Sequence, residues 1–87
     1  MQKLWTDDAW DDYLYWQTND KKILKRINQL LKDIERNGNV GIGKPEPLKY
    51  DLSGWWSRHI DETHRLIYCI EDDKIKISHC RTHYEDK

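Results

Sequence analysis

The run His64-Arg-Leu-Ile-Tyr-Cys-Ile-Glu-Asp-Asp-Lys-Ile-Lys-Ile-Ser-His-Cys80 reads as two strands joined by a tight turn. Residues 64–70 form the first strand and 74–80 the second, with side chains pointing alternately to opposite faces. Leu66, Tyr68 and Ile70 share one face, and Ile75, Ile77 and His79 continue it on the neighbouring strand. With Asp72-Asp73 as a two-residue loop, Ile70 faces Ile75, Tyr68 faces Ile77 and Leu66 faces His79. That leaves His79 as a core histidine satisfied by a hydrogen bond. The opposite face pairs Cys69 with Lys76, Ile67 with Ser78 and Arg65 with Cys80, which sets the two cysteines too far apart for a disulfide.

Outward from this hairpin, Trp55 to Ile60 reads as a further strand. Before it come a glycine-rich loop from Asn37 to Lys44 and the segment Pro45-Glu46-Pro47, where each following proline holds Lys44 and Glu46 extended. Ile23, Leu24, Ile27, Leu30, Leu31 and Ile34 recur at helical spacing, with Asn19 or Asp20 as N-cap and Gly38 as terminator. An earlier helix starts at Thr6, a capping residue followed by Asp7 and Asp8, whose carboxylates favour the positive end of the helix dipole. Met1 to Trp5 adds a short strand, and Trp5, Trp10 and Trp16 read as core. The expected fold is α+β: two N-terminal helices packed on an antiparallel sheet of about four strands, in a single domain spanning 1–87.

Charged residues make up 36% of the chain and apolar ones 37%, so the core is expected to be thin and supported by a partner or a second copy. Five Trp and five Tyr, with clear apolar periodicity, argue against disorder. The net charge of −1 does not by itself attract a polyanion, but its distribution is uneven. Residues 1–20 carry −4, residues 21–50 carry +5 and residues 51–87 carry −2, so a basic middle separates two acidic ends. The plainer reading of those lysines is a solvated helix surface. No signal peptide or membrane span is visible, which points to a cytoplasmic protein with Cys69 and Cys80 reduced.

Ser78-His79-Cys80-Arg81-Thr82-His83-Tyr84 concentrates chemical groups near the end of the chain. A zinc site from Cys69, His79, Cys80 and His83 is disfavoured, because His79 and Cys80 alternate across one strand and no chelating pair is spaced on a helix. Glu46, Arg65 and His83 suit cleavage of RNA by its own 2′-hydroxyl without metal or cofactor. Such a reaction needs a base for the hydroxyl proton, a cation for the phosphate charge and an acid for the leaving 5′-oxygen. A histidine, with an ordinary pKa of about 6.5, serves as that acid. Tyr84 offers a ring on which a base can stack. Residue types alone do not bring these groups together.

Several blocks in order carry more weight. Trp10-Asp-Asp-Tyr-Leu-Tyr-Trp16, Gly43-Lys-Pro-Glu-Pro-Leu-Lys49, Leu52-Ser-Gly54, Trp56-Ser-Arg58, His64-Arg-Leu66 and His83-Tyr84 run along nearly the whole chain. With these blocks the sequence resembles the Txe/YoeB group of the RelE/ParE toxin superfamily. The resemblance implies a ribosome-dependent endoribonuclease that enters the A site and cuts the messenger. It also implies a homodimer and an antitoxin of the YefM/Axe type. By position, Glu46 matches the group's general base, Arg65 its phosphate-stabilising arginine, His83 its general acid and Tyr84 the tyrosine that helps hold the substrate. Lys49 and Arg58 match basic residues near that site, and Lys44 and Arg81 are added as candidate RNA contacts. Tyr50 stands where relatives often have His, His59 where they often have Arg, and Glu85-Asp86-Lys87 follow the pair at which such chains usually end. The rival functions are a non-catalytic translation blocker and an inhibitor of the gyrase-poison kind, whose members generally lack the Glu/His pairing.

Overall fold

The structure, a computed structural model, describes residues 1–81. The order is β1 (Gln2–Trp5), α1 (Asp7–Asn19), α2 (Lys21–Asn37), β2 (Glu46–Pro47), β3 (Trp56–His59), β4 (Arg65–Glu71) and β5 (Lys74–His79), with a 3-10 turn at Tyr50–Leu52. The two helices pack on one face of a sheet with strand order β1-β5-β4-β3-β2. Among the described residues the sheet has five strands, one more than the four or so expected. The added one is the two-residue β2, too short to show any alternation in the sequence. The pairings are antiparallel except β1 with β5, which run parallel.

Local chemistry accounts for the helices. The Thr6 hydroxyl oxygen accepts from the Ala9 N–H at 3.0 Å and starts α1. Asp20 separates the helices: its N–H donates to the Trp16 carbonyl at 3.0 Å, while its carboxylate accepts from the N–H groups of Lys22 and Ile23. Helix α2 ends where the Gly38 N–H donates to the Ile34 carbonyl at 2.8 Å, with Gly38 at φ 70°. Ile27, Leu30, Leu31 and Ile34 are buried against Leu66, Tyr68, Ile75 and Ile77. Trp16 is buried and Trp5 packs at the edge of this cluster. Trp10, expected in the core, is instead 46% exposed, because it lies on the outer flank of α1, where its ring stacks on Tyr13 with centroids 5.9 Å apart.

The hairpin turns at Asp72 and Asp73, both at positive φ (53° and 58°), the backbone that matches strand twist in a two-residue loop. Ile70 pairs with Ile75, Cys69 with Lys76 and Tyr68 with Ile77, as alternation requires. Then the register shifts: Ile67, not Leu66, pairs with His79, and Ser78 is the extra residue of a bulge. The cause is tertiary. The Thr6 N–H donates to the Ile77 carbonyl at 3.1 Å and the Thr6 hydroxyl to the Ser78 carbonyl at 2.9 Å, so the start of α1 claims both carbonyls at the bulge. His79 therefore leaves the core; its side chain is 43% exposed, with Nδ1 2.8 Å from the Ser78 hydroxyl. Cys80 takes the buried place, its N–H donating to Asp12 and its carbonyl accepting from the Trp16 indole. Burial, helped by the Asp12 charge, pushes the Cys80 thiol up to about 12, which makes it chemically inert. Among the described residues no helix is long and apolar enough to cross a membrane.

Candidate active site

Directly opposed residues on antiparallel strands project to the same side of a sheet. Glu46 opposes Ser57, Ser57 opposes Ile67, and His59 opposes Arg65. Glu46, Ser57, His59 and Arg65 thus share the face turned away from the helices. Trp56, Arg58, Leu66 and Tyr68 occupy the other face. Neighbouring strands lie about 5 Å apart, so Glu46 and Arg65 stand two strand spacings apart across the sheet and two residues apart along it, with Ser57 and His59 on the strand between them.

The charges on this face act on His59. His59 is held below its ordinary pKa by burial first, then by the charges of Arg65 and Lys44, with Glu46 opposing. The imidazole thus feels three charged side chains from two segments, Lys44 and Glu46 on one and Arg65 on the other. The His59 N–H donates to the Gly43 carbonyl at 2.7 Å, fixing the loop that delivers Lys44 and Glu46.

Arg65 is braced from below. Its Nη1 donates to the carbonyls of Asp61 (2.8 Å) and His64 (3.1 Å). The Asp61 carboxylate accepts from the N–H groups of Thr63 (2.8 Å) and His64 (2.6 Å), closing a tight turn under the arginine. Burial raises the Asp61 pKa, but those N–H donors and the nearby positive charges outweigh it, and the carboxyl sits below its usual range. Among the described residues Nε and Nη2 of Arg65 donate to nothing, so the guanidinium keeps donors for an anion.

The remaining expected site residues fall in different places. Lys44 is exposed beside His59, but it is not extended: its φ of 53° turns the chain sharply into Pro45, against the bias of a residue before proline. Lys49 is exposed at the entry to the Tyr50–Leu52 turn. Arg81 is exposed and lies over α1, its guanidinium carbon 3.4 Å from the Tyr15 ring centroid. His83 and Tyr84 lie outside the described residues. Arg58 requires a correction: expected as an RNA contact, it is fully buried on the helix side and ion-paired with Asp33 of α2. It sits two residues from a core tryptophan on the same face of β3, so alternation alone turns it inward. No three His, Cys, Asp or Glu side chains among the described residues cluster closely enough to hold a metal ion.

Two residues at this site were not among the expected site residues, although His59 was noted as a departure from relatives. His59 had a usable signal, since alternation along the strand puts it on the face opposite Arg58. Asp61 had another, the Asp-x-Thr pattern of a side-chain-capped turn.

The sequence and the fold both have close counterparts among known proteins. Residues 5–84 match the family model described as YoeB-like toxin of bacterial type II toxin-antitoxin system. Toxin YoeB of Escherichia coli (strain K12) is 56% identical over 84 residues, covering 97% of this chain and 100% of that protein. A YoeB-YefM complex from Staphylococcus aureus superposes with a TM-score of 0.91 at 49% identity, covering 97% of this chain and 98% of that one. A YoeB dimer from the same organism gives 0.91 at 50% identity with the same coverage.

Proposed function

This chain belongs to the YoeB-like toxins of bacterial type II toxin–antitoxin systems, and we propose that it is a ribosome-dependent endoribonuclease that cuts messenger RNA in the A site. The observation that carries this reading is the common face of Glu46 and Arg65, with His59 between them. A carboxylate and a guanidinium two strands apart, on one surface, supply a proton acceptor and an anion clamp to a substrate lying across β2, β3 and β4.

In this reading Glu46 accepts the proton of the 2′-hydroxyl, and the resulting oxygen attacks the adjacent phosphorus. Arg65 stabilises the added negative charge with its uncommitted donors. His83 gives a proton to the departing 5′-oxygen, so the products are a 2′,3′-cyclic phosphate and a 5′-hydroxyl. Tyr84 stacks on a base, and Lys44, Lys49 and Arg81 contact the RNA backbone. With a net charge of −1 the chain has little general affinity for RNA, and the ribosome supplies both the oriented messenger and much of the binding energy. The setting is the cytoplasm, where translation takes place. The partners are a YefM/Axe-type antitoxin and a second copy of the chain, in keeping with the relatives solved as a YoeB-YefM complex and as a YoeB dimer.

Toeprinting on programmed ribosomes, run beside chemical identification of the new RNA ends, tests the reading. Cleavage within the A-site codon that appears only with ribosomes, leaving 5′-hydroxyl ends, is the expected result. A stalled toeprint on intact messenger identifies a translation blocker instead. Unaffected translation with inhibited gyrase identifies the other class of inhibitor.

A further inference from the structure

Arg58 is the only charged side chain among the described residues that is fully enclosed, and its partners have a pattern. Nη1 donates to Asp33 Oδ2 (2.5 Å) and to the Ile42 carbonyl (3.0 Å). Nη2 donates to the carbonyls of Gly38 (2.6 Å) and Val40 (3.2 Å), and Nε to the Tyr68 hydroxyl (3.2 Å). Alternate carbonyls of the 38–42 loop thus converge on one guanidinium. Its partners hold the rest of the loop: Asp33 Oδ2 also accepts from the Ile42 N–H (3.1 Å), and the Tyr68 hydroxyl donates to the Asn39 side chain (3.1 Å).

Apart from the His59 N–H bond to the Gly43 carbonyl, little else among the described residues holds this loop. Three of residues 38–43 are glycine. Its two aliphatic side chains, Val40 and Ile42, are 68% and 42% exposed. Apolar burial therefore gives the loop almost no order, and the polar cluster supplies it. The loop leads directly to the site. A Cβ on Gly43 would lie 2.8 Å from a Leu30 methyl and 3.3 Å from the Arg58 Cβ, so the chain passes tightly over Arg58. The Gly43 carbonyl then accepts from His59, and Lys44 turns through positive φ into Glu46.

We propose that Arg58 is a positioning residue for cleavage: by gathering the carbonyls of Gly38, Val40 and Ile42, it sets the path of the loop that carries Lys44 and Glu46 to the substrate. This rests on the endoribonuclease reading above. Lysine can keep the pairing with Asp33, but its single ammonium has three donors and no planar fork, so it cannot hold all five acceptors. Arg58→Lys should fold, bind programmed ribosomes as tightly as wild type, and cleave on the order of 10²-fold more slowly in single turnover at saturating ribosome, the cost of displacing a reacting group by about an ångström. Amide exchange of residues 38–44 should accelerate while that of α2 and β4 stays unchanged.

Ile27→Val, a core change outside the loop, is the control for general destabilisation. Arg58→Lys cleaving like wild type, or losing no more than this control, overturns the proposal. So does unchanged exchange in the loop. If Arg58→Lys fails to fold, Tyr68→Phe removes one acceptor and the tie to Asn39 without altering charge. A several-fold slower cleavage with faster loop exchange is then expected, and wild-type behaviour overturns the idea. A wild-type chain that cuts nothing on ribosomes defeats the endoribonuclease reading instead, and the exchange measurement still decides whether Arg58 orders the loop.

Discussion

The two faces of the sheet are built from different materials. Toward the helices stand Leu66, Tyr68, Ile75 and Ile77, all fully buried, with the Arg58 cluster at one end. Away from the helices stand Glu46, His59, Arg65 and Lys76, with the buried Ser57 and Ile67 between them. Strand alternation gives the chain both faces at once, and the bulge at Ser78 reverses which of them the end of β5 serves. Burial on the first face stabilises the fold at about 1.5–3 kcal/mol per large apolar side chain. The second face contributes little of that and holds the charges that chemistry needs. Arg58 stands apart as a charge placed on the apolar side. It serves the other face through a loop.

This division can be broken by substitutions on either side. A large effect is expected at Arg65. Arg65→Gln should slow single-turnover cleavage about 10²–10³-fold, the usual loss for one preorganised donor to a developing anion, with a melting temperature close to wild type. A near-normal rate would remove the anion clamp from the second face. Ile77→Ala on the first face should do the reverse. It should cost about 2–5 kcal/mol in denaturant unfolding, yet leave the cleavage rate of the folded fraction within a few-fold of wild type. A rate loss as large as that of Arg65→Gln would show that the two faces are not separable.

The smallest effect is a pH dependence. Burial, together with Arg65 and Lys44, depresses the His59 pKa, so the folded chain binds its proton less readily than the unfolded chain. Stability from this group is complete above its ordinary value of 6.5 and declines as pH falls from there toward the depressed value. Asp33, held below the usual carboxylate range chiefly by the hydrogen bond from Arg58, behaves differently. Its contribution is present above 3.8 and is lost only in stronger acid. Thermal melts between about pH 7 and pH 5 should therefore fall more for wild type than for His59→Gln. Equal slopes would mean that burial and the charges around it do not depress the His59 pKa.

The first face was largely readable from the sequence, because its signals are local. Helical spacing from Ile23 to Ile34, the caps at Thr6 and Asp20, and the Asp72-Asp73 turn each act within a few residues. The second face was readable only in part. Glu46 and Arg65 were found by residue type and resemblance, but their common orientation depends on β2, a two-residue strand with no periodicity. The bulge could not be read, since Thr6 imposes it from 72 residues away. Nor did Arg58 reveal its burial by chemistry, because a buried arginine needs partners, and three of those partners are backbone carbonyls of a glycine-rich loop that carry no sequence signature.

The central claim, that the second face carries the reaction, is tested most directly by Glu46→Gln in single-turnover cleavage on programmed ribosomes, with ribosome occupancy measured in the same samples. The substitution keeps the size and removes the proton acceptor. The predicted result is unchanged occupancy and a rate reduced by roughly 10²–10⁴-fold, the range for one general base. Wild-type cleavage at full occupancy would contradict it.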